Sequence, residues 1–359
     1  MYAGDVSWLG SARARVAAAV VVLAIAAATT GCANDPRGEN AARVIDKAFS
    51  TDTPGCSAAV AVEDRIVWTH QMGLSDLDST APLDADTRFN IGSVSKQFTA
   101  TAILMLQEAG DLDLDDTVAD HFSELPDWAA AIAVRDLMHH TSGIVDPSIP
   151  WSTLEDPDAL VAALQNVEVR TDVELEWYYA NANYVLLAGI VENVTGDPLD
   201  QWLQQNVFEP NGDSLRLEVG ASVDGPTGYT GDAVTYRPEE PAPARGASDV
   251  WGTPSALALS GSHYRDPVVL SAGALDLALS DGVPVETSND LYGPGIISLE
   301  SGGLIHAGSA QGMATLFAVS PDRSTTVAIS CNILSEASAE VTVDVVTAWL
   351  GDDFLGETP

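Results

Sequence analysis

The chain has 359 residues, 46% of them hydrophobic, which is enough for one large domain or two interlocked ones. Its 52 Asp and Glu residues outnumber 15 Lys and Arg, giving a formal net charge of -37. A chain this acidic will not bind nucleic acid by neutralising phosphates, so no nucleic-acid partner is expected.

The first 31 residues have the pattern of an export signal. Two arginines precede an apolar run over residues 16–28, which is short for a membrane span and fits the core of a signal peptide. The run ends at Thr29-Thr-Gly-Cys32, which resembles a bacterial lipoprotein signal except that Thr29 replaces the usual aliphatic residue. We expect lipidation at Cys32, a tether over residues 32–40 and an extracytoplasmic protein anchored to the bacterial cell membrane. The alternative is a plain signal peptide and a secreted protein.

The first elements predicted after the tether are a short helix and a hairpin. Residues 41–49 have amphipathic helical periodicity. Residues 57–62 and 65–72 are apolar and β-branched, with an acidic turn between them, and are typical of paired strands. A longer helix is predicted from Val94 to the residues before Gly110.

The middle of the chain is predicted to be mostly helical, and strands return near its end. Further helices are predicted over residues 134–140, 158–165, 184–194, 199–207, 268–279 and 337–350, and strands over residues 295–299, 304–305, 313–320 and 325–330. Residues 210–267 are rich in Gly, Pro, Asp and Ser and allow no assignment of elements. This order predicts one antiparallel sheet built from both chain ends, with a helical domain inserted between them.

Ser93 and Lys96 form the first candidate reaction centre. They lie three residues apart, so a helix would place the hydroxyl and the amine on one face, and Gly92 permits a sharp turn before them. Because the chain has 29 serines among 359 residues, a lysine has a serine three positions earlier about 8% of the time, and an ordinary surface lysine is the alternative. The chain has only two lysines, Lys47 and Lys96, and otherwise uses arginine as its cation. Because the surroundings can shift the pKa of lysine but not that of arginine, this favours a role for Lys96 that depends on a shifted pKa.

Two later patterns add further candidates. Tyr179-x-Asn181 lies in a predicted loop just before a helix, where aromatic packing with an asparagine cap is the alternative. His306-x-Gly308-Ser309 lies in a predicted strand, where glycine indicates close approach of another backbone or a ligand. The alternative there is a turn at a strand end with an exposed histidine.

Taken in order, the patterns S-x-x-K, Y-x-N and H-x-G resemble the serine β-lactamase and penicillin-binding-protein superfamily. The most similar branch is that of the class C β-lactamases, which also holds D-aminopeptidases, D-Ala-D-Ala carboxypeptidases and esterases. Leu137-Met-His-His-Thr-Ser-Gly143 and Asn206-Val-Phe-Glu-Pro210 also resemble that branch. The resemblance is strong over residues 41–210, moderate over 290–350 and faint over 211–289.

The resemblance implies a role for each residue of the first two patterns. Ser93 would be the nucleophile that forms an acyl-enzyme. Lys96 and Tyr179 would share the transfer of its proton, with the identity of the base left open between them. Asn181 would hydrogen-bond the substrate and help to hold Lys96.

The third pattern would complete the site. His306 stands where many relatives have the lysine of a K-T-G strand, and it would contact a substrate carboxylate or the tyrosine. Gly308 would let the substrate lie against the strand, and the backbone N–H groups of Ser93 and Ser309 would form the oxyanion hole. A histidine at this position argues against a dedicated β-lactamase, because β-lactam substrates carry a carboxylate.

The implied fold is α+β, an α/β sandwich with an antiparallel sheet flanked by the N- and C-terminal helices and an inserted all-helical domain, as in the β-lactamase/transpeptidase fold. The catalytic unit would span residues 41–350. Its sheet part would comprise residues 41–92 and 290–350, its helical part 93–210, and a variable loop region 211–289.

The same fold implies a disulfide. Its first strand lies antiparallel beside its last, and Cys56 begins the first predicted strand while Cys331 follows the last. Export permits a Cys56–Cys331 bond. Neither cysteine has a cysteine or histidine partner at metal-site spacing, so the sequence predicts no metal site.

We therefore expect an exported serine hydrolase that acts through a Ser93 acyl-enzyme on an amide or ester, such as a D-amino-acid peptide, an ester or a β-lactam. No metal or organic cofactor is implied, and a monomer is expected. The choice among peptidase, esterase and lactamase depends on residues 211–289, where the resemblance is faintest. The alternative is a non-catalytic, penicillin-binding-like sensor or binding lipoprotein.

Overall fold

A computed structural model describes residues 35–148, 162–170, 177–210, 215–217, 225–231, 235–236, 244–285 and 288–356. The predicted signal, the lipidation site Cys32 and the first residues of the helix predicted over 158–165 lie outside the described residues. Residues 162–164 are helical. None of the helices within these described ranges is long and apolar enough to cross a membrane.

The helices within these ranges are α1 (Pro36–Ala48), α2 (Lys96–Ala109), α3 (Val118–His121), α4 (Val134–Met138), α5 (Asn181–Thr195), α6 (Leu199–Leu203), α7 (Pro254–Ser260), α8 (Ala272–Ser280) and α9 (Glu336–Leu350). Short 3₁₀ turns cover Gly92–Ser95, Asp127–Ala131, Gly261–Tyr264 and Asp352–Leu355, and a π turn covers Gln204–Phe208.

The strands are β1 (Cys56–Val62), β2 (Arg65–Met72), β3 (Leu74–Asp76), β4 (Ala81–Pro82), β5 (Phe89–Asn90), β6 (Leu215–Leu217), β7 (Gly228–Thr230), β8 (Thr235–Tyr236), β9 (Val250–Gly252), β10 (Val283–Pro284), β11 (Leu291–Tyr292), β12 (Ile297–Ser298), β13 (Leu304–Ala310), β14 (Met313–Val319), β15 (Thr325–Cys331) and β16 (Ile333–Leu334).

The main sheet has eight strands in the order β10-β11-β12-β13-β14-β15-β1-β2, and every neighbouring pair is antiparallel. The first strand therefore lies beside the last strand of the sheet, and both ends of the chain contribute to it. This confirms the predicted antiparallel sheet. Smaller sheets join β16-β7-β8, β3-β4 and β5-β9-β6.

Helices cover both faces of the sheet. On one face, α1 and α9 pack in a core that includes Ile45, Val60 and Val345. On the other face, Ala59 belongs to a second core together with α2 and the rest of the helical domain, which includes Leu187. Alternate residues of β1 thus point into different cores, as the period of a strand requires, and a strand covered on both faces is apolar throughout.

The start of α1 corrects one prediction. Residues 32–40 were expected to form a tether, but the helix begins at Pro36. The side chain of Asp35 caps it by accepting a hydrogen bond from the backbone N–H of Arg37 at 2.9 Å. Proline is favourable in the first turn of a helix, where its missing N–H would have no partner, so Asp35-Pro36 is a helix start rather than a break.

The segment that allowed no assignment contributes two elements to the core. The strand β9 pairs with β5, directly before the Ser93 turn. The helix α7 follows at once, with Thr253 accepting a hydrogen bond from the N–H of Ala256 at 3.1 Å and Leu257 fully buried. The Thr253-Pro254 pair is a helix-start signal that the surrounding glycine and proline residues obscured.

Cys56 and Cys331 are joined in the structure. They are opposed residues of β1 and β15, both fully buried, with a sulfur–sulfur distance of 2.04 Å and a Cα–Cα distance of 3.9 Å. The bond links the start of the sheet to its end across 275 positions of sequence. It therefore closes nearly the whole described chain into one loop.

Candidate active site

The turn that carries Ser93 is shaped by Gly92. Gly92 has a φ of +57°, and its N–H donates to the Asn90 side chain at 2.8 Å. A Cβ atom on Gly92 would lie only 2.5 Å from the backbone nitrogen of Ser309. Glycine is therefore required both for the left-handed backbone and for the close approach of β13. The 3₁₀ turn Gly92–Ser95 then leads into α2 and leaves Ser93 at the start of the helical region.

Lys96 lies completely buried beside Ser93. Its Nζ donates to Ser93 Oγ at 3.1 Å, to Asn181 Oδ1 at 2.7 Å and to the Ala247 carbonyl at 2.9 Å. Burial lowers the pKa of Lys96 to about 7, although the carboxylates of Asp146 and Asp249 oppose this by favouring the charged form. The amine is therefore both in contact with the serine hydroxyl and able to lose a proton near neutral pH.

The Ala247 carbonyl reaches Lys96 because a short turn is held against α2. Asp249 Oδ2 accepts the N–H of Gly246 at 2.9 Å, and Thr99 donates to the Gly246 carbonyl at 2.7 Å. Asp249 is buried, and its Oδ1 has no hydrogen-bond partner within the described ranges. Burial raises the pKa of this carboxyl to about 7. Sequence reasoning missed Asp249 because it lies in the segment where neither elements nor the resemblance could be assigned.

Asn181 is held by the start of α5. The helix begins at Asn181, three residues earlier than predicted, because Asp146 caps it from another segment. Asp146 Oδ1 accepts the N–H of Ala182 at 2.8 Å, which replaces the cap that Ala180 cannot provide. This fixes the amide oxygen that accepts from Lys96. Asp146 was not singled out from the sequence, because it is 36 positions from the helix that it caps.

Tyr179 lies on the other side of the lysine. Lys96 Nζ is 4.8 Å from the centroid of the Tyr179 ring. The Tyr179 hydroxyl is buried and has no partner at hydrogen-bond geometry in the described part of the chain. Burial raises the pKa of Tyr179, against a smaller opposing effect of the Ser93 hydroxyl. A protonated tyrosine beside a lysine with a pKa of about 7 favours Lys96 as the base and Tyr179 as a proton donor.

The strand β13 forms the opposite wall of the site. A Cβ atom on Gly308 would lie 2.0 Å from the Ile91 carbonyl oxygen, so only glycine allows the strand to approach the Ser93 turn this closely. Beyond Ile305, the only described strand that pairs with β13 is β14, and the other edge of β13 faces the site. The backbone N–H of Ser309 lies at this edge, next to Gly92. The Ser93 nitrogen is equally close to the strand, since a Cβ atom on Gly308 would lie 3.1 Å from it. The backbone segments that carry the Ser93 and Ser309 N–H groups are thus packed against each other.

His306 is buried, which makes the alternative of an exposed histidine at a strand end wrong. Its Nδ1 donates to the Ala307 carbonyl at 2.7 Å, and its Nε2 lies 3.4 Å from the Tyr292 hydroxyl. Burial lowers the pKa of His306 to about 3. The ring is therefore neutral, and both nitrogens have protein partners, so it offers no charge to a substrate carboxylate. The tyrosine hydroxyl that it contacts is that of Tyr292 and not that of Tyr179.

Comparisons with known proteins identify the family of this chain. The family model described as Beta-lactamase matches residues 40–347. D-aminopeptidase of Brucella anthropi is 32% identical over 195 residues, which are 50% of this chain and 36% of that protein. Penicillin-binding protein 4* of Bacillus subtilis is 30% identical over 156 residues, which are 41% of this chain and 34% of that protein. The chain thus spans little more than a third of the length of these curated relatives.

The fold has a similar solved structure. The D-amino acid amidase of Ochrobactrum anthropi SV3, crystallised with L-phenylalanine, superimposes with a TM-score of 0.75. The superposition covers 88% of this chain and 98% of that one, at 22% sequence identity. At this identity the likeness establishes the shared fold and nothing finer.

Proposed function

The chain belongs to the β-lactamase family, and from this premise we propose that it is a serine hydrolase that forms an acyl-enzyme at Ser93. One observation carries the proposal: the buried Lys96 amine lies 3.1 Å from Ser93 Oγ. Burial lowers the pKa of this amine to about 7, so a fraction of it is a free base at neutral pH. A hydroxyl with such a base at hydrogen-bond distance is an activated nucleophile.

In the proposed acylation step, Ser93 Oγ bonds to the substrate carbonyl carbon and passes its proton to Lys96. The carbonyl oxygen gains negative charge and accepts hydrogen bonds from the Ser93 and Ser309 N–H groups. The bond to the leaving amine or alkoxide then breaks, and Tyr179 gives that group a proton, which the Lys96 ammonium replaces. Water attacks the ester in the second step, releasing the acid and restoring the Ser93 hydroxyl.

We further propose that the substrate presents a free amine rather than a carboxylate near the scissile bond. The neutral, fully buried His306 cannot attract an anion. Two carboxyl groups, Asp146 and Asp249, act on Lys96, although burial raises the pKa of both, and among the described residues Lys96 is the only buried Lys or Arg. A substrate amine is therefore electrostatically favoured over a carboxylate. The name of the similar D-aminopeptidase agrees with an aminoacyl amide as substrate.

A matched set of substrates tests this proposal. We expect D-phenylalanine p-nitroanilide to be hydrolysed with a kcat/KM at least about tenfold above that of its N-acetyl derivative, because acetylation removes the cation that the carboxylates favour. A p-nitrophenyl ester, a D-alanyl-D-alanine peptide and nitrocefin complete the set, with Ser93→Ala as the blank.

Equal kcat/KM values for the amine and its acetyl derivative would contradict the substrate class but not the hydrolase. If no compound in the set is turned over, the hydrolase itself is contradicted. The non-catalytic, penicillin-binding-like sensor would then be the better interpretation.

We also propose that the protein acts outside the cytoplasm as a lipid-anchored protein. The apolar run before Cys32 supports this, and so does the Cys56–Cys331 bond, because disulfides persist mainly in oxidising compartments. Protein from the membrane fraction, denatured without reductant, should give no maleimide adduct at Cys56 or Cys331. It should also carry a palmitate label that Cys32→Ser loses. Two reactive thiols per chain in a cytoplasmic fraction would contradict the proposal.

A further inference from the structure

Two buried histidines and a buried tyrosine form a continuous hydrogen-bonded bridge beneath the site. His140 Nε2 lies 3.2 Å from the Tyr292 hydroxyl, and that hydroxyl lies 3.4 Å from His306 Nε2. His306 Nδ1 in turn lies 2.7 Å from the Ala307 carbonyl oxygen. His140 and His306 are fully buried, as is Tyr292. The mechanism proposed above uses none of these three side chains.

The two ends of this bridge fix which nitrogen of each histidine carries the proton. The backbone N–H of Ala180 donates to His140 Nδ1 at 3.3 Å, so that nitrogen is unprotonated and Nε2 carries the proton. At the other end the Ala307 carbonyl can only accept, so His306 carries its proton on Nδ1 and accepts at Nε2. Tyr292 therefore accepts from His140 and donates to His306. Each link has one proton and no group in the bridge lacks a partner.

Burial keeps both imidazoles in the neutral form that this pattern needs. The pKa of His140 lies well below its ordinary value, first through burial and then through Lys96, and the pKa of His306 falls to about 3. The neighbouring Tyr184 hydroxyl donates to the Met138 carbonyl at 2.9 Å, so its proton is directed away from the bridge. Its oxygen also interacts with the Tyr292 hydroxyl and shares the Tyr292 proton with His306.

The bridge connects the helical domain to the main sheet at the site. His140 follows α4 in the helical domain, whereas Tyr292 lies in β11 and His306 in β13. The proposed catalytic groups divide in the same way, because Lys96 belongs to the helical half and the Ser309 N–H to β13. The bridge therefore links the half that holds the base to the strand that supplies an oxyanion donor.

The bridge ends at the Ala307 carbonyl, on the same edge of β13 as the Ser309 N–H that would bind the oxyanion. In a strand, the N–H and C=O groups of residues two apart point to the same edge. The Ala307 carbonyl and the Ser309 N–H therefore share the edge that faces the site. The His306 imidazole holds that carbonyl at 2.7 Å and so restrains the rotation of the strand two residues before the oxyanion donor.

His140 has a left-handed backbone conformation. Its φ is +59°, a region that is uncommon for residues other than glycine, although histidine adopts it more often than most, as asparagine and aspartate do. Such a conformation persists only where the surrounding structure imposes it, and it is commonest at functional sites. The complete hydrogen bonding of this buried imidazole points to a use for it.

We propose that the His140–Tyr292–His306 bridge positions β13 so that the Ser309 N–H meets the oxyanion formed at Ser93. The three side chains are positioning residues, since they act through the strand and do not touch the reacting atoms. The proposal rests on the Ser93 acyl-enzyme proposed above. It gives His306 a role that depends on the neutral imidazole and not on attraction of a substrate anion.

The test compares Tyr292→Phe with Tyr229→Phe. Both remove one hydroxyl from a buried tyrosine, but Tyr229 lies outside the site, where its hydroxyl accepts the N–H of Leu77 at 2.9 Å. We expect Tyr292→Phe to lower kcat by about 10- to 100-fold with KM changed less than about threefold, because an oxyanion contact is made chiefly in the transition state. The affinity for phenylboronic acid, which mimics the tetrahedral oxyanion on Ser93, should fall by a similar factor. Tyr229→Phe should change neither quantity.

A second variant keeps the test decisive if Tyr292→Phe folds poorly. His140→Asn suits the positive φ, since asparagine tolerates that region, but its side chain is too short to reach Tyr292. It should lower kcat to the same degree, and the double variant should lower it little further, because both changes break one bridge. All kcat values are referred to the fraction of protein that a fluorophosphonate labels.

A kcat for Tyr292→Phe within twofold of the wild type would overturn the proposed role of the bridge. Equal losses of kcat in Tyr292→Phe and Tyr229→Phe would overturn it too. A double variant whose loss of kcat equals the product of the two single losses would overturn it as well. If the wild type neither turns over substrate nor binds phenylboronic acid, the proposed function fails instead. The two failures are therefore distinguishable.

Discussion

Replacing Ser93 with alanine is expected to lower kcat/KM by about 10⁴- to 10⁶-fold, which corresponds to about 5–8 kcal/mol of lost transition-state stabilisation. The change removes the atom that forms the acyl-enzyme and leaves the oxyanion donors in place. Because Lys96 keeps its contacts with Asn181 and the Ala247 carbonyl, the variant should fold normally. Steady-state hydrolysis of the best substrate, with thermal unfolding in parallel, measures both effects.

The matched control for this change is Ser338→Ala. Ser338 is also a fully buried serine, but it lies in α9 on the far side of the sheet, where its hydroxyl donates to the Ser335 carbonyl at 2.8 Å. Its loss should lower stability slightly and leave kcat/KM unchanged. Hydrolysis by Ser93→Ala within tenfold of the wild type would mean that the serine is not the nucleophile.

Replacing Lys96 with arginine is expected to lower kcat/KM by about 10³- to 10⁴-fold, the range of a lost general base. Arginine keeps a positive charge at all relevant pH values and cannot accept the Ser93 proton. Lys47→Arg is the natural control, because Lys47 is the only other lysine of the chain and lies exposed in the last turn of α1. A Lys96→Arg variant with more than a tenth of wild-type activity would exclude Lys96 as the base.

The pH dependence of the wild type should report the same amine. Burial lowers the pKa of Lys96 to about 7, so activity should be lost as the pH falls below about 7, where the amine becomes protonated. The charge of Asp249 raises the pKa of Lys96, and Asp249→Asn should therefore move this acidic limb to lower pH. Because the Asp249 carboxyl and the Lys96 amine interact, the pKa measured from this acidic limb in the wild type is a property of the pair and not of either group alone. A limb in Lys96→Arg identical to that of the wild type would contradict the assignment.

The sequence predicted the parts of the fold that depend on local pattern. The hairpin of β1 and β2 agrees with prediction within one residue, because its apolar, β-branched strands flank a short turn. The helix before Gly110 ends where expected, since glycine takes the left-handed conformation with a φ of +80°. The proximity of Ser93 and Lys96 is a local property too, because it follows from their spacing in the chain.

The distant partners of Lys96 could not be predicted from local pattern, and only the family resemblance implied its contact with Asn181. Asn181 and the Ala247 carbonyl are 85 and 151 positions away from it. Contacts of that separation depend on how elements pack, which periodicity does not specify. The capping of α5 by Asp146 and the position of Tyr292 beneath β13 have the same origin. The Gly- and Pro-rich segment hid α7 for a different reason, because its turn residues outweighed a readable helix start at Thr253.

The most direct test of the central claim is the covalent adduct itself. The protein is incubated with a fluorophosphonate, and its intact mass is measured. We predict one adduct per chain on the wild type and none on Ser93→Ala. An unmodified wild type, or an equal adduct on both proteins, would contradict a Ser93 acyl-enzyme.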